Sequence, residues 1–156
     1  TIDELLEAER KTDAARIKAY QQRTYYDGRW RPEFDRWVNM LASTYRGADA
    51  GSAALSQARA SDMIFTQPVV HEFPRLAVPT VLMIGERDTT AIGKDRAPPE
   101  VAERLGHYAA LAREAESRIP GALLITFPEL GHAPHIEEPE AFNVTLLDAL
   151  GRIAPP

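Results

Sequence analysis

"VPTVLMIGERD", residues 78–88, decides the fold class. Pro79 opens the stretch, Val81-Leu82-Met83-Ile84 runs apolar without a break, and Gly85 ends it. A short apolar run with β-branched members, closed by glycine, predicts a strand buried on both faces, here over residues 80–84. Strands of that kind belong to parallel sheets covered by helices. The pattern returns at Ala122-Leu123-Leu124-Ile125-Thr126-Phe127, which predicts a second buried strand. Between the two, Pro98-Pro99-Glu100 opens a long helix to about Ile119, since proline suits the first turn. Val101, Leu105, Tyr108, Ala112 and Ala115 form its apolar stripe, and Pro120-Gly121 stops it. A last helix is expected from Glu140 to about Arg152. The order strand–helix–strand–helix is the parallel α/β pattern.

Upstream the chain reads as helix. Residues 3–23 are rich in Glu, Ala, Leu, Lys, Arg and Gln, and Thr1 or Asp3 can cap them. A second helix is expected over 33–46, with Phe34, Trp37, Met40 and Leu41 on one face, and a third over 52–61. The 156 residues are 44% hydrophobic and 26% charged, with a formal net charge of −5. That is the composition of a globular domain with one modest core. The acidic balance argues against a nucleic-acid partner. No apolar run reaches the roughly 18–20 residues that span a bilayer. Without cysteine there is no disulfide framework and no thiolate site, and the composition suits a cytoplasmic or an exported protein alike.

Two parallel strands do not make a stable sheet, because both outer edges and the apolar faces stay open. Further strands are therefore expected from elsewhere. The chain also begins at Thr1 and runs straight into helix-like sequence, which points to a processed N-terminus or to one piece of a longer polypeptide.

"VPTVLMIGERD", followed by "IPGALLITFPELGHAPHIEEPEAF", resembles the C-terminal portion of α/β-hydrolases, strongly from 74 to 152 and loosely before that. The resemblance implies a fold class of α/β, in which residues 1–70 are a helical cap and residues 71–156 the C-terminal part of the core. It places Asp88 at the triad acid, in the G-x-x-D turn. It places His132 at the base, in the G-H turn, 44 residues further on. A histidine takes and returns a proton near neutrality, and a carboxylate on its other nitrogen fixes the tautomer. Gly131 permits a sharp turn before His132, and Ala133-Pro134 is small and rigid after it. Since a cap covers the catalytic crevice in this family, Tyr25, Tyr26, Trp37, Met40 and Ala133 are the candidates for substrate contact. No cofactor and no metal are implied.

The family's nucleophile elbow, G-x-S-x-G, is absent, and none of Ser43, Ser52, Ser56, Ser61 and Ser117 stands in such a setting. The oxyanion loop and the first six of eight strands are missing too, about 130 residues at the usual length of such units. The resemblance thus implies an N-terminal fragment of the same polypeptide as partner, cut at an exposed linker near the cap. The activity it implies is hydrolysis of a carboxylic ester or related acyl bond by a Ser-Asp-His triad. An aspartate nucleophile, as in epoxide hydrolases and haloalkane dehalogenases, is the alternative enzyme. A non-catalytic ligand-binding protein of the same fold is the alternative outside enzymes.

Bland readings stand beside these. Asp88 suits an ordinary turn, while Glu86 and Asp95 fit the acid position less well. His132 and His135 form H-x-x-H, yet no third ligand lies at useful spacing. Thr1 as an N-terminal nucleophile precedes a cap-like helix rather than a sandwich strand. Lys94-Asp95-Arg96 reads as a solvated loop within reach of an anionic substrate group.

Overall fold

The computed structural model describes residues 1–153, so the last three residues of the 71–156 region lie outside it. The chain divides into two compact units. One holds Thr1–Arg23 and Arg29–Val69; the other holds Thr24–Gly28 and the chain from Val70 onward. The short segment Thr24–Gly28, inside the expected cap region, therefore belongs with the strands.

The first unit is helical: α1 (Ile2–Glu9), α2 (Ala14–Thr24, all but its last residue), α3 (Asp35–Ser43) and α4 (Ala50–Thr66). Thr1 caps α1 in a reciprocal box with Glu4. The single helix expected over 3–23 is two helices. Asp13 interrupts it, because its carboxylate accepts from the Arg16 N–H and starts α2 afresh. In α3 the buried side chains are Val38 and Ala42, in line with Phe34 before the helix. Met40 is 60% exposed and Leu41 39%. The face expected from Phe34, Trp37, Met40 and Leu41 is thus corrected to a strict i, i+4 stripe. Ile17 of α2 packs with Val38 and Ala42, flanked by Ala14, Trp30 and Tyr45. Lys18 and the Trp30 indole both donate to Asp35, and the Lys18 bond holds that carboxyl below its ordinary range. Helix α4 runs past the expected 52–61 at both ends and packs along α1.

The second unit is built on two strands, β1 (Val81–Gly85) and β2 (Leu123–Phe127). They pair in parallel, Val81 against Leu123 through Gly85 against Phe127. Helices α5 (Pro99–Ala102) and α6 (Tyr108–Arg118) lie between them in sequence, and α7 (Pro134–Glu137) and α8 (Pro139–Ile153) follow β2. Helix α6 packs on both strands. The long helix expected from 100 to 119 is broken. Gly106, at φ +78°, turns the chain between α5 and α6, and a Cβ there would stand 2.6 Å from the Thr89 carbonyl oxygen. Val101, expected in its buried stripe, is 42% exposed, while Ala112 is buried.

The strands are not buried on both faces as expected. Gly85 alone among their residues is buried, and the others are half-buried. Among the described residues the sheet has only these two strands, so each keeps one edge without a strand neighbour. On α8, Val144, Leu147 and Leu150 recur every three residues and are 70%, 69% and 46% exposed. Among the described residues no helix is long and apolar enough to cross a membrane.

Candidate active site

Both strands end at the same rim, and the turns after them interlock through glycine. A Cβ on Gly85 would meet the Gly131 carbonyl oxygen at 1.8 Å. A Cβ on Gly131 would meet the Tyr25 carbonyl oxygen at 1.7 Å. No side chain fits at either contact, so three backbones stack: the end of β1, the turn after β2, and the segment Thr24–Gly28. This is the physical reason for the glycines in G-E-R-D and L-G-H.

Hydrogen bonds tie the stack together. The Arg87 N–H donates to the Leu130 carbonyl at 3.0 Å, and the Glu86 N–H to Phe127 at 3.1 Å. The His132 N–H donates to the Tyr25 carbonyl at 2.8 Å, and the Thr89 N–H to Thr24 at 3.3 Å. The Arg87 guanidinium bridges Asp27, at 2.8 Å, and Glu129. Those carboxylates, the Asp27 bond first, hold Arg87 firmly protonated. Asp27 itself sits at φ +53°, a left-handed turn that an aspartate tolerates. Buried Glu137 of α7 accepts from the Gly131 N–H at 2.6 Å and so ties α7 to the G-H turn.

On this platform Asp88 and His132 meet. His132 Nδ1 lies 2.7 Å from Asp88 Oδ2. The Asp88 side chain is 6% exposed and that of His132 39%. Asp88 Oδ1 accepts the Thr90 N–H at 2.7 Å, so both carboxylate oxygens are satisfied despite burial. An ionised carboxylate only accepts, which puts the proton on Nδ1 and leaves the Nε2 lone pair to act as a base. The Tyr25 ring covers one side of the imidazole, 4.1 Å between centroids at 38°.

The other expected site residues are placed as follows. Tyr26 is 1% exposed, with its ring edge-on to Tyr25. Ala133 is 3% exposed, directly before α7. Trp37 and Met40 lie on α3 in the helical unit, Trp37 half-buried beneath the Arg36 guanidinium. The His135 ring lies tilted against Phe142, 5.6 Å between centroids. Among the described residues no group of three His, Asp or Glu side chains converges to hold a metal ion. Lys94 donates to the Leu105 carbonyl at 2.8 Å, which ties down part of the loop read as solvated. Thr90, Tyr108 and Glu137 were not singled out for the site by their sequence context. Only Thr90 carries a signal, since an aspartate commonly accepts from the N–H two residues on.

A carboxylate bonded to an imidazole at the carboxyl rim of adjacent parallel strands is the arrangement by which α/β enzymes activate a nucleophile. The chain belongs to the alpha/beta hydrolase family, whose sequence model matches residues 4–145. A probable hydrolytic enzyme from Pseudomonas aeruginosa is 54% identical, with a TM-score of 0.92 over 96% of this chain and 48% of that one. An esterase from Exiguobacterium antarcticum shares the fold at 22% identity and TM-score 0.62, over 96% of this chain and 47% of its own. An alpha/beta hydrolase enzyme from a Medee basin deep-sea metagenome library does so at 16% identity and TM-score 0.55, covering 99% and 52%. The chain thus spans about half the length of the solved structures it matches. Comparison with curated proteins returns no match.

Proposed function

We propose that this chain supplies the acid and base of a serine hydrolase acting on a carboxylic ester or related acyl bond. The observation that carries the reading is the 2.7 Å bond between Asp88 Oδ2 and His132 Nδ1 at the rim of the paired strands. His132 Nε2 takes the proton of the nucleophile as it attacks the acyl carbon, then returns it to the leaving group. Asp88 holds the tautomer and stabilises the imidazolium. Likeness to a probable hydrolytic enzyme at 54% identity supports the reaction class.

The nucleophile and the oxyanion donors come from the half of the fold that this chain does not span, an N-terminal fragment of the same polypeptide. The open edges of β1 and β2 and the exposed stripe on α8 support that partnership. Its interface is large and apolar, a core cut in half, and survives high salt. The helical unit is the cap, and Tyr25, Tyr26 and Ala133, which share the unit of His132, shape the substrate site.

The test is His132→Ala in the assembled enzyme, read by turnover of an activated ester and by circular dichroism on one preparation. Turnover falls by several orders of magnitude while the fold persists. Undiminished turnover removes His132 from the mechanism.

A further inference from the structure

Thr90 touches both members of the acid–base pair. Its backbone N–H donates to Asp88 Oδ1 at 2.7 Å, and its hydroxyl lies 3.2 Å from His132 Nδ1. The same hydroxyl donates to the Tyr108 hydroxyl at 3.1 Å. With its own proton turned to Tyr108, Thr90 Oγ1 presents a lone pair to the imidazole. The Nδ1 proton is then shared between Asp88 Oδ2 and Thr90 Oγ1. Thr90 is 8% exposed, so its hydroxyl has little water to turn to instead.

The fold holds this contact from two sides. Thr90 stands two residues past Asp88 in the turn after β1. Tyr108 is the first residue of α6, and the turn at Gly106 brings it there by pressing against the Thr89 carbonyl. That helix packs on both strands, so Tyr108 is fixed relative to the rim.

We propose that Thr90 and Tyr108 are positioning residues that lock His132 in its Nδ1–H tautomer, in addition to Asp88. The inference rests on reading His132 as the catalytic base. If Nδ1 lost its proton, the Thr90 hydroxyl would have to leave Tyr108 to donate to it, and Asp88 would face a bare lone pair. The relay therefore opposes the wrong tautomer twice.

The test compares Thr90→Val, Thr90→Ser and Tyr108→Phe in the assembled enzyme, with His132→Ala as control. Valine keeps the shape and the backbone N–H but removes the acceptor; serine keeps the hydroxyl. Thr90→Val lowers kcat about tenfold, the worth of one hydrogen bond to a charged group, with KM unchanged. Thr90→Ser restores most of it, and Tyr108→Phe costs less than Thr90→Val. Nitrogen-15 spectra of the His132 ring show a single Nδ1–H tautomer in the wild type and a mixture in Thr90→Val. Thermal unfolding of each variant separates misfolding from mispositioning. If Thr90→Val matches the wild type in kcat and tautomer, or if serine is as harmful as valine, the relay is overturned. If His132→Ala is fully active, the functional reading fails instead, and the spectra still report on the relay.

Discussion

Replacing Gly131 by alanine perturbs the contact on which the rim of the two strands depends. The added Cβ would stand 1.7 Å from the Tyr25 carbonyl oxygen, where folded proteins essentially never allow less than 3.0 Å. The turn or the Thr24–Gly28 segment must retreat by more than an ångström, and neither contact atom is a flexible side-chain end. Two hydrogen bonds are lost or stretched: His132 N–H to Tyr25, and Gly131 N–H to buried Glu137. At about 1 kcal/mol for the neutral bond and about 2 for the one to a carboxylate, the loss is about 3 kcal/mol. His132, the next residue, moves with the turn, so turnover falls as well. Gly121→Ala is the control. Gly121 has φ +69° but open space around it, so its cost is backbone strain alone, about 1–2 kcal/mol. Chemical denaturation of the assembled enzyme gives both values. A Gly131→Ala loss no larger than that of Gly121→Ala would refute the stacked-backbone account of the rim.

Other outcomes follow from the same structure. Asp88→Asn lowers kcat by about 10⁴ with the fold intact, since an amide no longer selects the Nδ1–H tautomer; an unaffected variant moves the acid elsewhere. Val38→Ala removes two methyl groups from the cluster with Ile17 and Ala42 and costs about 2 kcal/mol. Met40→Ala stays within about 0.5 kcal/mol, and equal losses at the two positions would contradict the corrected stripe of α3. Burial, then the 2.8 Å bond to Glu9, raises the Tyr45 pKa well above its ordinary value. A raised folded-state pKa contributes stability that is whole below the ordinary tyrosine value and is lost progressively as pH climbs from there to the folded value. Ultraviolet titration therefore finds Tyr45 still protonated at about pH 11, where a free tyrosine is mostly ionised. Glu9→Gln moves it part of the way back.

The strands were legible because each rests on a local pattern, whereas the pairing of Asp88 with His132 came from the resemblance of their two turns to those of α/β-hydrolases. An apolar run ending in glycine, then a turn, needs no knowledge of distant chain. The helix breaks were harder. Gly106 in an otherwise helical stretch costs only about 1 kcal/mol against alanine, and tertiary contact with Thr89 decided the matter. The stripe of α3 misled because Met40 and Leu41 are apolar but do not lie in line with Phe34, Val38 and Ala42. The segment Thr24–Gly28 was invisible as part of the site: Thr24 meets Thr89 across 65 residues of sequence through a carbonyl that every residue has. The role of Thr90 depends on where Tyr108 falls, which the break at Gly106 sets. Half-burial of the strands goes with a chain that spans about half the length of the solved structures it matches.

Active-site labelling with a fluorophosphonate, which forms a covalent bond only with a nucleophile activated by its base, tests the central claim most directly. Peptide mapping of the labelled assembly places the adduct on a serine outside this chain, and His132→Ala and Asp88→Asn abolish or slow labelling in that order of severity. An adduct on Ser43, Ser52, Ser56, Ser61 or Ser117, or labelling that survives both substitutions at the wild-type rate, contradicts the assignment of Asp88 and His132 as the acid and base of a hydrolase.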